Sequence, residues 1–220
     1  CKWDTPIDLD KMWIEIKRTM KPNAIIIFFC NTKFGFNIIQ SNQKWFKYDL
    51  IHSKIWRKSR KVGFLSANKM PLRQHENIYV FKKEQGTYNP QKVEGKAYNK
   101  TNTGNQFEPG AYGDIDRATF REGEENRAIN TGTRHPASVI ENTILEFNNP
   151  TKSIHRTQKP VDLLEWLIKS YSNEGDLICD FTMGSGSTAI ASLNTNRKFT
   201  GCERDEEIFK IAKERIDTHS

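Results

Sequence analysis

The stretch Asp180-Phe181-Thr182-Met183-Gly184-Ser185-Gly186-Ser187-Thr188 decides the fold of this 220-residue chain, because of what stands on either side of it. Before it, Leu177 to Phe181 is a short apolar run of strand type, and after it Ser187 to Leu193 opens a helix. Strand, tight glycine turn and helix in that order mark the place where ligands settle in open α/β sheets. Gly184 and Gly186 let backbone amides approach a bound group closely, and the N-terminus of the following helix adds partial positive charge suited to a carboxylate or phosphate. Phe199 to Glu203 reads as the next strand. Glu203 comes seventeen residues after Gly186, at the C-terminal end of that strand, where a carboxylate can accept both hydroxyls of a ribose.

Three readings of the turn compete. It lacks the Gly-Lys-Ser/Thr ending of a triphosphate-binding loop. Gly184-x-Gly186-x-x-Ala189 satisfies a loose dinucleotide fingerprint, yet only one strand follows it, whereas a dehydrogenase continues with further strand–helix units. A plain strand-to-helix turn, with Asp180 as a strand-end cap, accounts for the glycines but not for the acid beyond them.

Outward from the turn the pattern stays regular. Upstream, Pro160 suits a first helical turn, and Val161, Leu163, Leu164, Leu167, Ile168 and Tyr171 make a broad apolar face that ends before Gly175. Downstream, Glu206 to Ile216 is a final amphipathic helix. Near the start, Leu9, Met12, Trp13, Ile16 and Met20 recur at helical spacing, Asp8 caps the run, and Lys21-Pro22-Asn23 ends it. Ala24 to Cys30 then reads as a strand buried on both faces, which suggests a parallel sheet. Glu76 to Lys82 is a further strand, preceded by a basic, aromatic-dotted stretch from Lys44 to Arg73. Seven of the thirteen glycines (Gly86, Gly95, Gly104, Gly110, Gly113, Gly123 and Gly132) fall within 47 residues that hold few aliphatics, as in loops or an inserted module. The expected fold class is α/β: a doubly wound, mostly parallel, Rossmann-like sheet with a loop-rich insertion.

Charge points to a polyanion. Lys plus Arg number 34 against 27 Asp plus Glu, a net +7, and residues 44 to 83 alone hold eleven basic residues against Asp49 and Glu76. Lys54, Arg57, Lys58, Arg60 and Lys61 place five cations within eight residues around Trp56, as contact with nucleic-acid phosphates requires; a solvated helix face is the plainer alternative. The longest apolar run, Ala24 to Cys30, is seven residues, far short of the ~20 of a membrane span. Cys1, Cys30, Cys179 and Cys202 form no Cys-x-x-Cys, which argues against a zinc site and a disulfide framework and fits a reducing cytoplasm.

Taken together, His155-Arg156-Thr157-Gln158-Lys159-Pro160, the apolar helix, Asp180 through Thr188, and Gly201-Cys202-Glu203 resemble the C-terminal half of the S-adenosylmethionine-dependent amino-methyltransferases of DNA. Within them the order resembles the permuted class, whose cofactor half follows its catalytic half. Lys2-Trp3-Asp4, the first helix, Lys21-Pro22 and the strand to Asn31 resemble the stretch after that class's catalytic motif, and Pro71 through Phe81 resembles a later block. The resemblance implies that Asp180, Gly184 and Gly186 form the floor under the methionine part of the cofactor, with Ser187 and Thr188 near its carboxylate and Phe181 also among the cofactor-binding residues. It implies that Glu203 holds the ribose and that Thr157, Gln158 and Lys159 close over the methionine end. Thr182 stands where the class carries an aromatic, with Phe181 one place earlier, and Arg156 replaces a proline.

The class's Asp-Pro-Pro-Tyr signature, or a near relative of it, occurs nowhere in these 220 residues; its usual spacing puts it immediately before Cys1. The catalytic residues are therefore unassigned, and the chain is expected to lack its N-terminus. The implied organisation is a catalytic half over 1–83, a target-recognition insertion over 84–150 and a cofactor half over 151–220. Base readout in the insertion would draw on Arg117, Arg121, Arg127 and Arg134. The implied activity is methyl transfer from S-adenosylmethionine to the exocyclic amino group of adenine in a specific sequence of double-stranded DNA, with a restriction-modification context plausible. No metal or membrane enters, and a homodimer is left open. A DNA-binding remnant without catalysis and a nicotinamide-dependent oxidoreductase are the alternatives.

Overall fold

The computed structural model describes residues 7–53, 67–72, 74–101, 127–130, 132–140 and 158–219. The chain divides into two compact units, Cys1–Gln91 with Ala137–Ser220, and Lys92–Pro136.

The first unit begins with α1 (Leu9–Thr19), whose N-cap Asp8 accepts a hydrogen bond from the Lys11 amide at 3.1 Å. Strand β1 (Ile25–Cys30) follows, then α2 (Thr32–Ser41), β2 (Phe46–Ser53) and β3 (His75–Lys82). These strands, with the short β8 (Val139–Ile140), form one sheet in the order β1-β3-β2-β8. β3 runs antiparallel to both its neighbours, so β1 and β2 point the same way without touching, and β8 adds to β2 in parallel.

β3 is the hub. Its side chains alternate between faces, and both faces are covered. Ile78 and Val80 pack with Leu50, Ile140, Leu163, Trp166 and Leu167, the last three on α3 (Val161–Tyr171). On the other face Tyr79 and Phe81 pack with Met12 and Trp13 of α1, Ile38 of α2, and Trp45. The Trp13 ring lies 5.8 Å from Phe28 and 5.3 Å from Phe81, and its indole N–H donates to Ser41 Oγ at 2.8 Å, so its polar edge is satisfied. Helices cover both faces of this unit, as a doubly wound sheet requires, but β3 makes its pairings antiparallel, so the sheet is mixed where the buried run of β1 had suggested parallel neighbours. β1 contributes to both faces, Ile25, Ile27 and Phe29 to one and Ile26, Phe28 and Cys30 to the other, yet every residue in it stays half-buried. Among the described residues it is hydrogen-bonded on one edge only, which explains why a run apolar on both sides is not fully enclosed.

Beyond α3 come β9 (Leu177–Asp180), α4 (Ser187–Asn194), β10 (Lys198–Gly201) and α5 (Glu206–Asp217). β9 and β10 pair in parallel as a separate two-stranded sheet, Asp180 opposite Gly201. α3 serves both sheets: Leu164 and Ile168 pack with Ala191 of α4, and Phe29 of β1 and Ile178 of β9 lie against the same cluster.

The second unit contains two antiparallel pairs. β4 (Val93–Glu94) pairs with β7 (Thr133–Arg134), and β5 (Tyr98–Thr101) with β6 (Arg127–Asn130). Their nested registers make one interrupted ribbon among the described residues, bridged between the two pairs by the Gly95 amide donating to the Gly132 carbonyl at 2.8 Å.

Candidate cofactor site

At the end of β9, Asp180 spans the glycine turn. Its Oδ1 accepts from the Thr182 amide at 3.0 Å, and its Oδ2 accepts from the Thr188 hydroxyl, at the start of α4, at 2.6 Å. The backbone turns through left-handed conformations at Gly184 (φ +52) and Gly186 (φ +77), which residues with a side chain rarely adopt. Gly186 is also the N-cap of α4, and a Cβ there would sit 3.3 Å from Ile216 Cδ1 and 3.4 Å from Ala212 Cβ of α5.

Glu203 joins this turn from two residues beyond the end of β10, which stops at Gly201 rather than running on to the acid as expected. Its Oε2 accepts the Gly184 N–H at 3.0 Å and its Oε1 accepts the Asp205 N–H at 3.0 Å. Asp205 in turn caps α5 by accepting from the Glu207 and Ile208 amides. The carboxylate of Glu203 is half-buried and fixed at both oxygens. An ionised carboxylate offers about four acceptor positions, so each oxygen keeps one for a further donor. Phe181 follows directly after Asp180, just past the end of β9, and is 43% exposed. Asp180, Phe181, Gly184, Gly186, Ser187, Thr188 and Glu203 are thus drawn to one strand-end turn.

The two hydroxyls of that set also make contacts within the protein. The Thr188 hydroxyl goes to Asp180, and buried Ser187 accepts at its Oγ from Arg215 Nη1 of α5 at 3.1 Å. Arg215 also donates to the Ser185 carbonyl at 3.0 Å, and its partial burial lowers its pKa from the usual arginine value. Sequence reasoning missed this residue; its signal was an arginine in register with Ala212 on the inward stripe of the last helix.

Gln158 and Lys159 precede α3 and are half-buried. Lys159 pairs with Glu76 at the start of β3, Nζ to Oε1 at 2.5 Å, and stands 5.0 Å from the centre of the Phe29 ring. It is not a solvated charge. Neighbouring Cys30 ends β1; burial, with Glu76 nearby, pushes its thiol up to about 11. Sequence reasoning gave Glu76 no role, and an acid opening an otherwise apolar strand was its signal.

Thr157, Lys54, Arg57, Lys58, Arg60, Lys61, Arg117 and Arg121 lie outside the described residues. Arg134 donates to the carbonyls of Lys96 at 2.6 Å and Thr133 at 3.0 Å, so part of its fork binds the ribbon to itself. Among the described residues no group of three or more His, Cys, Asp or Glu is placed to hold a metal, and no helix is long and apolar enough to cross a membrane.

The fold and site define an α/β protein with a ligand turn at the carboxyl ends of adjacent parallel strands. The chain belongs to the DNA methylase family (N6_N4_Mtase), which it matches over residues 7–214. Among curated relatives it is 36% identical over 84 residues to the type II methyltransferase M.HpaI of Haemophilus parainfluenzae, a match covering 38% of this chain and 27% of that protein. It is 39% identical over 66 residues to the DNA adenine methyltransferase YhdJ of Escherichia coli K12, covering 30% and 22%. These matches span about a quarter of the relatives' length. Among solved structures the M1.HpyAVI–SAM complex superposes with a TM-score of 0.60 at 20% identity, covering 96% of this chain and 85% of that one. The PvuII cytosine-N4-specific DNA methyltransferase superposes with a TM-score of 0.54 at 14% identity, covering 95% and 77%. Both likenesses establish the shared fold.

Proposed function

We propose that this chain binds S-adenosylmethionine and serves methyl transfer to the exocyclic amino group of adenine in double-stranded DNA, in a reducing cytoplasm. The observation that carries the reading is the Glu203 carboxylate, anchored by two backbone amides beside the left-handed glycines and left with one acceptor position on each oxygen. That donor deficit suits the vicinal hydroxyls of a ribose. Exposed Phe181 offers an apolar face for an adenine ring, although Thr182 stands where the class has its aromatic. Because the Thr188 hydroxyl donates to Asp180, its contribution to the cofactor carboxylate comes from its amide in the first turn of α4, at the positive end of that helix, whereas Ser187, whose Oγ accepts from Arg215, keeps its hydroxyl hydrogen as a further donor. Gln158 and Lys159, with Thr157, would close the methionine end.

Once bound, the sulfonium supplies an electrophilic methyl group. The amino nitrogen of a base is a poor nucleophile, since its lone pair is delocalised into the ring. Reaching it in duplex DNA requires turning the nucleotide out of the stack, at a cost of a few kcal/mol. Lys54, Arg57, Lys58, Arg60 and Lys61 would hold the flanking phosphates. The insertion over 84–150 is assigned to target recognition, supported by its antiparallel ribbon, a form of element that other proteins lay in DNA grooves. Adenine is preferred as acceptor because a curated relative is named a DNA adenine methyltransferase.

The test is incubation with S-adenosylmethionine and mixed-sequence duplex DNA, followed by digestion to nucleosides and mass spectrometry. N6-methylated deoxyadenosine is the expected product. N4-methylated deoxycytidine would overturn the choice of base, and cofactor and DNA binding without any product would favour the non-catalytic alternative.

A further inference from the structure

Lys159 and Glu76 lie 83 residues apart in sequence and meet at 2.5 Å, with side-chain exposures of only 26% and 17%. Glu76 belongs to the end of the sheet where β1 finishes: Cys30 pairs in register with Asn77, and His52 of β2 with Glu76 itself. Phe29, one residue earlier on β1, offers its ring face to the same ammonium, and an aromatic face strengthens the hold on a cation only in that orientation. Lys159 is followed by Pro160, which is buried, caps α3 and has its φ fixed by its ring. The lysine is therefore held at its tip by two strands and at its backbone by a helix start. An ammonium so placed loses much of its hydration, and a single counter-charge decides whether it stays or swings out to water.

We propose that Glu76 is a positioning residue for the cofactor site: its carboxylate pins Lys159 against Phe29 and so sets the Gln158–Lys159 segment. The proposal rests on the reading that this segment contacts S-adenosylmethionine. Glu76 acts through Lys159 and needs no contact of its own with the ligand. Removing its charge frees the ammonium and lets Gln158 and Lys159 depart from the geometry that closes the methionine end.

The test is calorimetric titration of S-adenosylhomocysteine into the full chain carrying Glu76→Gln, Lys159→Met, or both, with duplex DNA affinity measured alongside. Glu76→Gln is expected to raise the dissociation constant about tenfold, as loss of one charge-assisted bond does. DNA affinity is expected to stay within about twofold of the unaltered protein. The double variant is expected to bind no worse than Lys159→Met alone, because coupled residues are non-additive. Affinity for S-adenosylhomocysteine unchanged in Glu76→Gln, or effects that multiply in the double variant, would overturn the proposal. Equal loss on cofactor and DNA marks general unfolding, and the decision then passes to Glu76→Asp. If Glu76→Gln does not fold, Glu76→Asp keeps the charge on a shorter arm. A loss of about threefold there supports positioning, and none overturns it. If the unaltered protein fails to bind S-adenosylhomocysteine, the cofactor reading itself falls, an outcome distinct from all of these.

Discussion

Glu203 carries more of the account than any other side chain, and it is held by bonds that any ligand must leave intact. Its oxygens accept from Gly184 and Asp205, so replacing it with alanine leaves two amides without an acceptor and removes the hydroxyl-binding edge. The expected outcome for Glu203→Ala is cofactor binding weaker by about 1–3 kcal/mol, read by titration of S-adenosylhomocysteine; an unchanged affinity would count against the ribose assignment. A second residue-level expectation concerns pH. The Cys30 thiol is raised to about 11 in the folded protein, so its contribution to stability is complete below the ordinary thiol value of about 8.5 and is lost as pH climbs through 11. Melting temperatures between pH 8 and pH 11 should therefore fall more steeply for the unaltered protein than for Cys30→Ala. Parallel curves would contradict that environment.

Among the elements, the strand–turn–helix over 177–194 is the least replaceable. Gly186→Ala would require φ near +77 in a residue with a Cβ and would crowd Ile216 and Ala212. It should lose about 1–2 kcal/mol in denaturant unfolding and weaken cofactor binding with it. Loss of neither would mean that the turn relaxes freely. This element was legible in the sequence because glycine, apolar run and helix start follow one another locally. α1 was legible by its spacing and Asp8 cap, and β3 by a weak alternation over Glu76 to Lys82. α2 and β2 escaped notice for physical reasons. In α2, Thr32 to Ser41 mixes Gly35 and four bulky apolar residues with few charges to mark a face, and in β2 only the second half alternates, with Leu50 and His52 inward. The pairing of Lys159 with Glu76 has no local signature, since the sheet alone brings the two together.

At the scale of the molecule, the fold supplies a frame on which charge has an expected task. Net charge is +7, and the densest basic run, Lys54 to Lys61, is proposed to hold phosphates. Reversing Arg57 and Lys58 to glutamate should weaken duplex binding and flatten the slope of log affinity against log salt by about 0.9 for each phosphate no longer neutralised, leaving cofactor affinity unchanged. Fluorescence anisotropy over a salt series measures this, and an unaltered slope would remove those residues from the interface. The ribbon of the second unit was expected only as a loop-rich insertion, because pairs of two to four residues leave little periodicity to read.

The turn at the ends of β9 and β10 is proposed to hold a sulfonium nucleoside. Calorimetric titration of the protein with S-adenosylhomocysteine and, separately, with NAD tests it most directly. The account requires saturable one-to-one binding of the first, abolished or strongly weakened by Glu203→Ala, and no comparable heat from the second; tight binding of NAD with none of S-adenosylhomocysteine would contradict it.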